Sequence, residues 1–152
     1  MAATPDQLHE LLSYCMDFAH TMLKDSGEFF PFGATLSPDG EVAAVGGWDG
    51  DERPKSQEIY QLLAGAFISA VGEGRVIGVA LAADVNVPDR YNSPVKDALR
   101  VQLEAPGFAR FIYVPYELLL PSLTVAEPTW VMHEPFAVEI KPMFFPLPSD
   151  KM

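Results

Sequence analysis

Cysteine, positive charge and long apolar runs are all scarce in this chain. Only one cysteine, Cys15, occurs among the 152 residues, so no internal disulfide can form, and a reducing compartment is implied. Ten Lys and Arg stand against 21 Asp and Glu. Nucleic-acid binding draws most of its affinity from cations neutralising phosphates, and no basic stripe with interleaved aromatics is present, which argues against a nucleic-acid partner. An anionic membrane surface is disfavoured for the same reason. No apolar run approaches the roughly 20 residues that span a bilayer. The opening Met1-Ala2-Ala3-Thr4-Pro5-Asp6 lacks a positive segment leading into an apolar stretch, so the expectation is a cytoplasmic protein. No Gly-rich phosphate loop follows a strand, and no Gly-x-Ser-x-Gly elbow occurs, so two recognised nucleotide and acyl-transfer templates are missing.

The chain is nevertheless 49% hydrophobic with 20% charged residues, enough to bury a core in one domain. That domain is expected over residues 1–141. The rest, residues 142–152, is an apolar tail punctuated by Pro142, Pro146 and Pro148, which disqualify it as helix or central strand.

Thr4-Pro5-Asp6-Gln7 combines an N-cap hydroxyl, a proline at the first helical position and a capping-box glutamine. Leu8, Leu11, Leu12, Cys15, Met16, Phe18, Ala19, Met22 and Leu23 then recur at helical spacing, up to Gly27. Two apolar runs around Ser37-Pro38-Asp39-Gly40 read as a β-hairpin whose first strand lies at an edge or begins after Pro31. A second helix follows from about Pro54 to Val71. Arg75 to Val87 is apolar on both alternating faces, the pattern of a strand covered on both sides. Val95 to Glu104 alternates cleanly and returns through Ala105-Pro106-Gly107 into a partner strand from Phe108 to Pro115. Trp130 to Ile140 makes a last strand interrupted at Pro135. The order α-β-β-α-β-β-β, with a possible further strand, defines an α+β domain: an antiparallel sheet with two amphipathic helices packed on one face.

Glu28-Phe29-Phe30-Pro31-Phe32-Gly33-Ala34, followed by Asp39-Gly40-Glu41, resembles a family of small uncharacterised bacterial proteins. Ser56-Gln57-Glu58, Ala82-Ala83-Asp84-Val85 and Pro115-Tyr116 extend that resemblance across roughly residues 8–117. It implies no known activity. No cofactor is expected.

Four groups are candidates for chemistry or contact. His9, Ser13, Asp17 and His20 form one polar stripe of the first helix, where Asp17 and His20 would be the ligands of a metal ion, with Glu10 nearby. A solvated helix face explains the same residues. Cys15 sits in the apolar stripe without a neighbouring cation and reads as a structural thiol. Asp49, Asp51 and Glu52, and Asp84 with Asp89, are acidic pairs in loops; Asp84 stands out because it ends an apolar strand and must find donors or shift its pKa. Finally, Phe29, Phe30, Phe32 and Trp48, with Phe144 and Phe145 of the tail, supply more aromatic area than one strand face can absorb, and surplus apolar surface marks partner sites.

The expectation is therefore a non-enzymatic protein–protein interaction module, with a protein partner or a second copy in a homodimer. Two alternatives stand beside it. One is an acidic antidote-type protein for a basic toxin, suggested because residues 1–52 hold ten acids and one base. The other is a small-ligand or metal-binding protein, or an enzyme of unknown reaction.

Overall fold

In the computed structural model, which describes residues 3–46, 56–123 and 126–146, the first helix, α1 (Pro5–Ser26), has both ends secured as its sequence implies. The Thr4 hydroxyl accepts the Gln7 N–H at 3.2 Å, the Gln7 side chain accepts the Thr4 N–H at 2.9 Å, and Gly27 closes the last turn at φ 74°. Leu8, Leu11, Cys15, Ala19 and Leu23 form its buried stripe.

β1 (Phe32–Leu36) starts one residue after Pro31 and turns through Ser37–Glu41 into β2 (Val42–Gly46). The Ser37 N–H donates to the Glu41 carbonyl at 2.9 Å, and Gly40 takes the positive φ the turn demands. α2 (Ser56–Gly72) leads to β3 (Gly78–Asn86), and a single 3-10 turn (Asp89–Tyr91) precedes β4 (Asp97–Ala105). The Pro106-Gly107 turn then opens β5 (Phe108–Leu119), and β6 (Thr129–Met132) and β7 (Phe136–Glu139) complete the sheet. The strand order is β2-β1-β3-β4-β5-β6, antiparallel throughout, with β7 also on β5. β6 and β7 share one edge of β5, broken between them at Pro135, so the interrupted last strand of the sequence is two short strands in register with one long one. The fold is α+β. No described helix is long and apolar enough to cross a membrane.

The placement of the helices differs from the expectation of a single covered face. α1 packs with Ala80 and Ala82 of β3, whereas α2 packs with Val79 and Leu81. Successive strand residues point to opposite faces, so the two helices lie on opposite sides of the sheet. The cause is β3 itself, whose side chains are apolar in both directions. One helix could have dried only half of them.

The tail closes the α2 face. Phe144 is 2% exposed and meets Phe67 of α2 edge-on, with ring centroids 5.8 Å apart. Residues 142–146 thus belong to the packed domain rather than trailing from it.

Gly33, the glycine of the Pro-Phe-Gly segment, marks a close approach between α2 and the sheet. A Cβ there would stand 2.5 Å from Phe67 Cζ and 2.7 Å from the Ala80 carbonyl oxygen. The ring can swing aside but the backbone oxygen cannot. Gly33→Ala is expected to destabilise the protein by about 1–3 kcal/mol, the usual cost of overpacking, measured as a lower urea midpoint at unchanged slope. A variant as stable as the wild type would show that α2 does not seat this closely.

Candidate functional site

β4 supplies an unexpected polar row on the α2 side. Arg100, Gln102 and Glu104 alternate with the apolar Leu99, Val101 and Leu103, and simple alternation would assign the polar set to water. Instead Gln102 and Glu104 are 4% and 0% exposed. Their hydrogen bonds run in one direction. Arg100 Nη2 donates to the Tyr60 hydroxyl at 3.2 Å, Tyr60 donates to Gln102 Oε1 at 3.0 Å, and Gln102 Nε2 donates to Glu104 Oε2 at 2.6 Å. The other oxygen, Glu104 Oε1, accepts the backbone N–H groups of Met143 and Phe144 at 2.9 Å each and of Phe145 at 3.4 Å. A buried carboxyl group is costly unless its lone pairs are satisfied. Here the tail backbone provides the donors, and Glu104 in turn satisfies tail amides that burial would orphan.

One end of this chain of bonds opens to solvent. Arg100 lines a cleft of about 220 Å³ with Pro31, Ser56, Gln57, Tyr60, Ala83, Asp84 and Val85. Its guanidinium lies 4.3 Å from the Phe111 ring centroid and 5.7 Å from that of Tyr60, within range of cation–π attraction.

On the α1 face, Asp84 finds a donor. Asp84 pairs in register with Leu99, and Leu99 with Val114, so Tyr116 falls two residues along β5 on the same face. The Tyr116 hydroxyl donates to Asp84 Oδ1 at 2.6 Å. Loss of surrounding water, and then the charges of Asp97 and Glu28, raise the Asp84 carboxyl above its ordinary range, while the bond from Tyr116 opposes them. The Tyr116 phenol is itself pushed up by burial and by its bond to Asp84, so it remains the donor. Its ring packs against Phe29 and Trp130. Tyr116 carried no local sequence signal; only strand register brings it to Asp84.

The remaining candidates are dispersed. His20 Nε2 sits 3.1 Å from the Trp130 carbonyl oxygen, tying α1 to β6, and Asp17 is exposed. Among the described residues, no group of three or more His, Cys, Asp or Glu side chains is placed to hold a metal ion, so Asp17 and His20 remain without the further ligands a metal centre needs. Cys15 is buried, and burial pushes its thiol up to about 12, which leaves it unreactive. Phe29 and Phe32 are buried in the α1 core, Phe144 is buried against α2, and Phe145 is half-buried beside it. Phe30 alone of these faces water, at 37% exposure. Trp48, Asp49, Asp51 and Glu52 lie outside the described residues.

The chain matches no protein-family model, no curated protein and no solved structure.

Asp84 gives a pH dependence of defined sign. A carboxyl raised in the folded state contributes stability that is fully present below the unfolded-state pKa, about 3.9, and is lost as pH rises through the folded-state value. Asp84→Asn carries no charge and keeps an oxygen for Tyr116. Thermal melts should therefore show the variant more stable than wild type at pH 7, with the gap closing toward pH 3. A gap that widens on acidification would contradict this assignment.

Proposed function

We propose that the protein is a non-enzymatic self-association module that meets a second copy of itself through the outer face of α2 and the free edge of β2. The observation that carries this reading is an uncharged surface with no cover among the described residues. Residues 59–72 contain no charged side chain. The inner side of α2 is dried by β1 and β3, yet its outer side exposes Leu62 and Ile68 at 51% and 50%. Between them lie Gly65 and Ser69, small enough for another backbone to approach. A helix apolar all round is normally covered all round.

β2 lies beside α2, since its Val45 packs against the cluster on the inner side of that helix. Among the described residues it pairs with β1 alone. Val42–Gly46 contains neither the charges nor the proline that commonly blunt a sheet edge. A second copy suits the surface on two grounds. With a net charge of −11, two copies can approach closely only where charge is missing. An edge strand pairing antiparallel with itself also satisfies the two-fold symmetry of a dimer. Phe29, Phe32 and Phe144 are consumed by the chain's own core, which moves the contact surface away from those aromatics to α2 and β2.

Sedimentation equilibrium of the wild-type chain is expected to give a concentration-dependent dimer. Leu62→Glu and Ile68→Glu each place a charge on exposed positions and should leave the monomer folded by circular dichroism. Each should weaken association by about 100-fold or more, the scale of an unpaired buried charge. A wild type that stays monomeric at millimolar concentration, or a dimer that both variants leave intact, would refute the reading.

A further inference from the structure

We propose that the cleft beside Arg100 binds a small monocarboxylate with a short apolar tail. Among the described residues two cations are partly buried, Arg100 and Arg110. Arg110 pairs with Glu139 at 3.2 Å. Among the described residues Arg100 has no acidic partner. Its buried Nε has no acceptor among them, and its one hydrogen bond there goes to a neutral hydroxyl. A half-buried guanidinium within reach of two aromatic rings, with no acid paired to it among the described residues and lining an open cleft, is arranged to receive an anion.

The cleft walls define which anion. Guanidinium groups recognise carboxylates and phosphates through paired N–H donors. The net charge of −11 repels a second negative charge, so a monocarboxylate is favoured over a phosphate dianion. Pro31, Ala83 and Val85 provide apolar wall, and Ser56 and Gln57 provide polar groups at the α2 end. About 220 Å³ accommodates a few heavy atoms, since one liquid water occupies about 30 Å³. This site is separate from the outer face of α2 and does not depend on self-association.

The test is an NMR titration of the full chain with propionate and, separately, with inorganic phosphate. Propionate should shift the amides of Ser56, Gln57, Tyr60 and Arg100 saturably, with a dissociation constant on the order of 1 mM, as ligands this small allow. Arg100→Gln should weaken it at least tenfold, and Arg110→Gln should leave it unchanged. The wild-type map is decisive even if Arg100→Gln folds poorly. Linear, unsaturated shifts, shifts scattered away from the cleft, or phosphate binding tighter than propionate would each overturn the proposal.

Discussion

Every other placement in this fold answers to one strand that cannot tolerate water on either side. β3 carries Ala80 and Ala82 toward α1 and Val79 and Leu81 toward α2, all of them fully buried. An antiparallel sheet can leave one face wet, but only where its central strand presents polar residues there. β3 presents none before Asp84. Two helices on opposite sides, a glycine at a close approach and a folded-back tail all follow from that requirement.

Local chemistry made most elements legible. The capping box, the glycine that ends α1 and the Pro-Gly turn between β4 and β5 each act over a few residues, and the structure uses each of them. That Phe29, Phe30 and Phe32 cannot all face one way was readable, but which one turns out was not: alternation groups Phe30 with Phe32, whereas Phe29 joins Phe32 in the α1 core and Phe30 is exposed. The position of α2 was not read correctly, although the two-faced pattern of β3 already demanded a second cover. Helical periodicity says which side of a helix is buried and nothing about which side of the sheet it joins.

The buried polar row was hidden for a different reason. Arg100, Gln102 and Glu104 have the spacing of a solvated strand face, and their burial depends on contacts about 40 residues away at Tyr60 and Phe144. No window along the chain contains those partners. Asp84 was identifiable because it ends an apolar strand; its donor Tyr116 and the cleft beside Arg100 required the registers of β3, β4 and β5. The aromatic surplus was only partly legible: Phe29, Phe32 and Phe144 are buried by the chain's own core, and Leu62 and Ile68 are among the exposed apolar side chains.

Nuclear Overhauser contacts from β3 test the two-sided account most directly. Val79 and Leu81 methyl groups should contact the Phe67 ring of α2, while the Ala80 methyl should contact side chains of the α1 cluster such as Leu11, with no crossing between the two sets. Contacts from both sets to the same helix would place α1 and α2 on one face and contradict the account.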